Sequence, residues 1–297
     1  MANDATVFIT GGTGFVGTAI QKALKGRPLK LLVRKGESGP RNPDATYVAG
    51  DVTDATSLAG TMDGCSVVIH LVAIIEEQGD ATFDRVIRQG TEHVVAEAKR
   101  AGIDHFILMS ALGVRDDPRY PYFHAKHRAE DAVKQSGLPW TVFRPSIIFG
   151  PGDGFINQLA DLVRSAPAVP IAGDGQALFQ PVSVTEVAKS FAWAVDHPES
   201  IGQTYELGGP DILTYDEIVA LIQKQLGTAK RTVHIPTGLV RGVVTVSSPL
   251  PKKLRPPVTK DQLRMLEIDN CTAHSATPDL VGRPLLRLQN GIDYLTR

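Results

Sequence analysis

The densest run of chemically capable side chains is YPYFHAKHRAED, from Tyr120 to Asp131. Tyr122 and Lys126 stand four apart, so a helix places both on one face. A free tyrosine, with a pKa of ~10, is a poor base at neutral pH, and an ammonium beside it favours the phenolate. Pro121 suits a first helical turn and Gly137 a stop, which predicts a helix over 121–136. Tyr120 has the wrong spacing to replace Tyr122, and it precedes a proline, which biases it out of the helix. His124 and His127, with Asp131, raise the question of a metal. Lys126 and Arg128 intervene, however, and no second ligand cluster lies nearby, so no metal is expected. The polar residues after Lys126 are expected to face solvent, with His124 packed or hydrogen-bonded locally.

A second group is VFITGGTGFVG, which sets Gly11, Gly14 and Gly17 directly after an apolar strand and at the start of a helical pattern. Glycines permit the tight turn and let backbone N–H groups approach a pyrophosphate at the positive end of a helix. The strand–turn–helix context that this motif requires is present. The next strand ends in LLVRKGE. A carboxylate there would bind a ribose 2′-hydroxyl; Arg34 and Lys35 instead suit a 2′-phosphate, so NADP is expected over NAD. The plainer alternative is that Arg34 covers the sheet edge or stacks on adenine.

Positioning such groups takes regular elements. Strands are expected at 6–10, 29–33, 46–50, 66–72, 105–110 and 140–144, with amphipathic helices between most of them. Phe15, Val16, Ala19, Ile20, Ala23 and Leu24 form one apolar face, and Val86, Gly90, Val94, Val95 and Ala98 another. Uniformly apolar strands alternating with such helices argue for an α/β fold, a doubly wound parallel sheet covered on both faces. After Pro145 the pattern loosens. Helices are expected at 157–165, 185–196 and 214–227, with strands near 169–172 and 204–209. Irregular structure or short helices are expected at 228–257. Residues 1–150, completed by 178–210, are expected to form the nucleotide-binding domain. Residues 151–177 and 211–297 are expected to form a smaller C-terminal substrate-binding domain.

The chain has 297 residues, of which 42% are hydrophobic and 21% charged, the mix of a globular protein with a substantial core. A net charge of −1 gives no global field for nucleic acid, and no nucleic-acid partner is expected. Thr228–Arg264 is locally basic (Lys230, Arg231, Arg241, Lys252, Lys253, Arg255, Lys260 and Arg264 against Asp261). It reads as a solvated surface or as a face for anionic lipid or an acidic subunit. Cys65 and Cys271 make no disulfide framework. No signal peptide and no membrane-spanning run are evident, so a cytoplasmic protein, with peripheral membrane contact left open, is expected.

Taken together, TGGTGFVG, GDVTD (50–54), the Tyr122/Lys126 pair and RPSIIFGPGD (144–153) resemble the extended short-chain dehydrogenase/reductase family, over essentially the whole chain. PPVTKDQLRMLEIDN (256–270) and YELGGPDILTYDEI (205–218) resemble an atypical branch that includes NADPH-binding accessory subunits of respiratory complex I and bacterial relatives. The resemblance implies a Rossmann-type domain. It implies cofactor contacts from Thr10, Gly11, Gly12, Thr13, Gly14, Phe15, Val16 and Gly17, with Asp51 and Val52 flanking the adenine. Leu71, Val72 and Ala73 would pass beneath the cofactor, and Pro145, Ser146 and Ile147 would line the nicotinamide pocket. Tyr122 would give or take a proton during hydride transfer, and Lys126 would hold the nicotinamide ribose. Ser110 matches the first hydroxyl of the family's serine pair. The second, which orients the substrate, reads Ala111. The family's helix asparagine, counted from Gly90-Thr91, reads Ile87.

These departures leave three functions open. The first is an oxidoreductase acting by hydride transfer on a small carbonyl or alcohol substrate. Phe149, Phe155 and Ile156 around the glycine-rich loop point to an apolar, quinone- or lipid-like one. The second is a non-catalytic NADPH-binding assembly or sensor protein of a membrane complex. The third is a nucleotide-sugar epimerase or dehydratase. An oligomer is left open. His70 is a further acid–base candidate whose plainer reading is a satisfied buried histidine. The segment 256–270 either closes the substrate domain, turning Leu263 and Leu266 inward, or lines the pocket opposite the nicotinamide.

Overall fold

The computed structural model describes residues 5–36, 42–240, 242, 260–266 and 268–296. They fall into two compact units. One holds the chain up to Pro145 with Val184–Leu207 and His274–Leu285; the other holds Ser146–Ser183, Gly208–Ala273 and the segment from Leu286. The segments 146–150, 178–183 and 208–210 therefore lie in the second unit, and 274–285 in the first.

In the first unit, β1 (Val7–Thr10) is buried along its whole length. It continues into α1 (Phe15–Ala23), β2 (Leu29–Val33), β3 (Ala45–Ala49), α2 (Ala55–Leu58) and β4 (Val67–His70). A π-helical turn, Asp84–Gln89, runs straight into α3 (Gly90–Ala101), which stops at Gly102 in the left-handed conformation. Then follow β5 (His105–Met109), α4 (Pro121–Lys134) and β6 (Trp140–Pro145). The chain next enters the second unit with β7 (Ile148–Phe149), α5 (Ile156–Ser165), β8 (Val169–Ala172), β9 (Leu178–Phe179) and β10 (Val182–Ser183). It contributes α6 (Val184–Asp196) and β11 (Gln203–Leu207) to the first unit before β12 (Leu213–Thr214), α7 (Tyr215–Gln225) and β13 (Thr232–Ile235). Short helices among the described residues that follow include α8 (Lys260–Met265), α9 (Thr277–Val281) and α10 (Leu288–Gly291).

The first unit carries a seven-stranded sheet in the order β11-β6-β5-β4-β1-β2-β3, with every pair parallel. The chain grows outward from β1 to β3, then returns beside β1 as β4 and grows the other way. This reversal leaves a crevice beyond the carboxyl ends of β1 and β4, where open α/β sheets bind ligands. The register sets Thr10 opposite His70 at that edge. Parallel strands need covering on both faces. Phe8, Val68, Phe106 and Val142 pack with Val94, Ala98 and Val133 in one buried cluster, while α1 packs against α6.

The second unit has its own core. Phe149, Ile156, Leu159, Val163, Ile171, Phe179, Ile218, Ile222, Leu288 and Ile292 are all buried in it. Helix α7 starts with a capping box in which Thr214 and Glu217 satisfy each other's backbone N–H groups. One expectation fails here. Within the stretch read as irregular, Thr232–Ile235 is a strand, β13, paired in parallel with β8. Four residues are too few for a period-two pattern to stand out. Arg241, Lys252, Lys253, Arg255 and Thr259 lie outside the described residues. Among the described residues, no helix is long and apolar enough to cross a membrane.

Candidate cofactor and active site

The crevice is built by the turn after β1. Gly11 has φ 70, a left-handed conformation that side chains disfavour. Gly14 is the extended N-cap of α1, with no side-chain cap and no acidic residue in the first turn. The first amides of α1 and its positive end are thus presented to an anion. A Cβ on Gly17 would lie 2.3 Å from the Gly11 carbonyl oxygen and 2.5 Å from that of Gly12. Only a glycine lets the helix rest directly on the turn. A cavity of about 560 Å³ opens there, within the range of ligand pockets. Gly11, Thr13 and Gly14 line it, with Arg34, Asp51, Val52, Leu71, Val72 and Ala73. These residues fit a dinucleotide.

Other expected cofactor residues act through the scaffold. Gly12 offers its carbonyl to Gln21 Nε2 at 2.8 Å, and Val16 and Gly17 are buried. Phe15 is half-buried and Lys35 exposed, and neither lines the cavity. Asp51 fixes its own loop, accepting from the Thr53 N–H and hydroxyl, both at 2.8 Å. The cavity also has walls that the sequence reading missed, Thr53, Ile74, Asp80, Ala81, Arg85 and Val86. The last two sit on the π-helical turn, a local irregularity that recurs at functional sites and that no sequence period reveals.

Thr10 and His70 form a closed network at the floor. Thr91 Oγ1 donates to the Ile87 carbonyl at 2.6 Å, so it accepts from His70 Nε2 at 3.1 Å. His70 Nδ1 then accepts from Thr10 Oγ1 at 2.6 Å. Burial, with the Lys126 charge nearby, holds His70 down to about 3. It is a neutral, satisfied histidine and not an acid–base group near neutral pH.

Helix α4 begins at Pro121 as expected and carries Tyr122 and Lys126. Tyr122 is only partly exposed. Its ring meets Phe83 and Phe123 edge-on, at 5.7 and 5.3 Å between centroids. It packs in an apolar cluster with Phe83, Ile87, Ala125 and Ala129, joined by Ala73 and Ile74. Ala73 and Ile74 also line the cavity, so Tyr122 stands next to it. Burial pushes the phenol up to about 12. This runs against the expectation of a phenolate favoured by the lysine, because burial disfavours the charged form. Lys126 is 2% exposed and donates from Nζ to the Met109 carbonyl at 2.8 Å. Its own burial lowers it to about 8 against the opposing charge of Glu130.

Ser110, at the end of β5, is buried, and its hydroxyl has no hydrogen-bond partner at normal distance. It lies close enough to Glu130 to help keep that carboxylate charged. Ile87 is buried against the Tyr122 cluster, where the family places an asparagine. His124 pairs with Asp116 at 3.2 Å and His127 with Asp131 at 3.3 Å. Among the described residues, no group of three or more potential ligands could hold a metal.

Pro145 ends β6 in the first unit, and Ser146 and Ile147 open the second. There Asn270 Oδ1 accepts from Ser146 Oγ at 2.7 Å and from the Ile147 N–H at 2.8 Å. This gives Asn270, the last residue of the 256–270 motif, a fastening role. Leu263 is buried, and Leu266 packs on the second core, as expected. Phe149 and Ile156 are wholly buried in that core, and Phe155 packs on Phe179 and Tyr215. Phe149 and Ile156 therefore form no substrate wall, contrary to the reading of that loop.

The parallel sheet, the reversal beside β1 and the glycine turn under a helix end define a Rossmann-type NAD(P)-binding protein. Residues 11–156 match the family model described as NAD(P)H-binding, and this segment belongs to that family. Over nearly its whole length the chain is similar in sequence to reductases and a complex I subunit, and in fold to epimerase- and dehydratase-type proteins. It is 29% identical to the mitochondrial NADH dehydrogenase [ubiquinone] 1 alpha subcomplex subunit 9 of Arabidopsis thaliana, over 96% of this chain and 73% of that protein. It is 26% identical to the (4-alkanoyl-5-oxo-2,5-dihydrofuran-3-yl)methyl phosphate reductase of Streptomyces griseus, over 94% and 93%. In fold it matches MoeE5, solved with UDP-glucuronic acid and NAD, at TM-score 0.78 and 20% identity, over 99% of each chain.

Proposed function

We propose that this protein is an NADP(H)-dependent reductase of a small apolar carbonyl or related unsaturated compound, with Tyr122 as proton donor and Lys126 as its partner. The observation that carries this reading is the pair itself. Tyr122 and Lys126 share a face of α4, and Tyr122 packs in an apolar cluster whose Ala73 and Ile74 also wall the cofactor cavity. Bound NADPH would supply the hydride. Tyr122, held protonated by burial, is suited to giving a proton to the developing alkoxide, which favours the reductive direction. Lys126 would hold the nicotinamide ribose and compensate the phenolate left behind. Arg34, at the end of β2 and on the cavity wall, would meet the 2′-phosphate.

The apolar substrate is supported by Phe83, Ile87, Ala73 and Ile74 around Tyr122. A sugar nucleotide would bring hydroxyls that this wall leaves unpaired, which disfavours the epimerase reading. Two named reductases of small or lipid-like molecules, the Streptomyces enzyme and a ceramide reductase, are among the relatives. The test is an NADPH fluorescence titration followed by turnover of quinones and apolar ketones. Tyr122→Phe keeps the ring packing and should bind NADPH normally while losing ~10²–10⁴ in kcat. Undiminished turnover in this variant would exclude the mechanism.

A second reading has its own observation. Ala111 and Ile87 replace two polar groups of the family, and a complex I subunit is similar over nearly the whole chain. In that case the protein binds NADPH without turnover and associates with a membrane complex. The basic composition of 228–264 is the sequence feature that supports this, although Lys230 is engaged by the Arg164 and Ala166 carbonyls.

A further inference from the structure

Tyr122, Lys126 and Glu130 follow one another at four-residue steps along α4, so they share one face. Glu130 was expected to face solvent, yet it is 1% exposed. An unpaired carboxylate at such a site is costly, and this one is fully engaged. Arg144 of β6 donates from Nε to Oε1 at 2.8 Å and from Nη2 to Oε2 at 2.7 Å. Lys134 Nζ donates to Oε2 at 2.8 Å. Burial alone would raise this carboxyl. The bonds from Arg144 and Lys134, with the nearby Ser110 hydroxyl, outweigh it and hold the group at about 2.

We propose that Glu130 is a positioning residue whose buried carboxylate keeps Lys126 an ammonium and so keeps the Tyr122–Lys126 pair in working form at neutral pH. The inference rests on the reading of those two residues as the reacting pair. The need for such a charge follows from the surroundings of Lys126. On its own helix, Tyr122 is uncharged and Lys134 is a competing cation. From β4 it faces His70, which is neutral. From β5 the Met109 carbonyl accepts from its Nζ, and Arg144 of β6, like Lys134, is a cation bound to Glu130. The π-helical turn and α3 also pack on α4, and there Arg88 is bonded to both Asp84 and Glu92. Glu206 of β11 lies 3.8 Å from Arg144 and offsets part of that charge. Glu130 is thus the carboxylate on the Lys126 helix face that opposes the loss of its proton. The two cations that hold Glu130 weaken its effect, which makes the coupling adjustable in both directions.

The test reads Lys126 directly. Protein carrying 13C at the lysine Cε positions is titrated through its lysine midpoints, and the Lys126 resonance is assigned with Lys126→Arg. In Glu130→Gln the midpoint should move to lower pH, with a roughly tenfold rise in neutral amine, the effect ordinary for a neighbouring opposite charge. Glu130→Asp should recover most of the shift. Lys134→Gln should move the midpoint the opposite way, because a competing cation is gone. Lys134 is 30% exposed, so this variant tests the coupling even where Glu130→Gln fails to fold. A Lys126 midpoint that stays in place in Lys134→Gln, or in folded Glu130→Gln, would overturn the proposal and leave Glu130 a helix anchor. NADPH titration of the same samples reports separately on the reductase reading. Shifted midpoints without any NADPH binding would uphold the coupling and exclude that reading.

Discussion

Lys126 is an ammonium in a place that disfavours one. Its ordinary pKa of 10.5 falls to about 8, so the unfolded chain holds the proton more tightly than the folded protein does. The cost is present below about pH 8 and fades as pH rises toward 10.5. Lys126→Met should therefore stabilise the fold at neutral pH, on the order of 2 kcal/mol, while weakening NADPH binding. Chemical denaturation beside a cofactor titration checks both halves, and a variant that loses stability would contradict the account. In the proposed function Arg34 contributes to the ligand, at the 2′-phosphate. Removing a charge-assisted bidentate contact costs ~1.5–3 kcal/mol, so Arg34→Ala should weaken NADPH roughly 10–100-fold and NADH little. Equal losses for the two cofactors would place Arg34 on the adenine instead.

Among elements, the turn between β1 and α1 is where one side chain changes most. Gly17→Ala pushes a methyl into two carbonyl oxygens of the turn. It should cost roughly 1–3 kcal/mol and lose cofactor binding out of proportion to that stability. Thermal melting with and without NADPH measures this. The turn was legible in the sequence because its chemistry is local. A strand, a glycine at each constrained position and the following helix all lie within one short stretch. Strands β2, β5 and β6 and helices α4 and α6 were legible for the same reason, with ends at most two residues from those expected. The π-helical turn was not, since its apolar residues satisfy an ordinary helical period equally well. Nor was β13, whose pairing partner β8 lies far back in the chain. Glu130 was misread because a charged residue on a helix usually faces water; its burial depends on Arg144 arriving from another strand.

At the scale of the whole molecule, buried ionisable groups set how the fold responds to acid. Burial holds His70 at about 3 and His105 at about 4, against 6.5 for a free histidine. The unfolded chain takes up protons that the folded chain refuses, so stability declines as pH falls below about 6.5. Each such group contributes roughly 1.4 kcal/mol per pH unit in that window. Glu130 adds a second phase, since its stabilisation is present above about 4.5 and is lost as pH falls toward 2. Urea midpoints should therefore drop steadily between pH 6.5 and 4.5; a flat profile there would mean that the histidines open to water before they titrate.

The sequence by itself determined the parallel α/β sheet, the nucleotide turn, the helix that carries Tyr122 and Lys126, and the choice of Arg34 over an acid. Each depends on the types and spacing of residues close together in the chain. The tertiary structure alone decided which side chains share a site. It set Ala73 and Ile74 between Tyr122 and the cofactor cavity and consigned Phe149 and Ile156 to a separate core. It closed His70 into a neutral network and buried Glu130 beneath Lys126. These outcomes depend on desolvation, and desolvation is fixed only when distant segments have packed together.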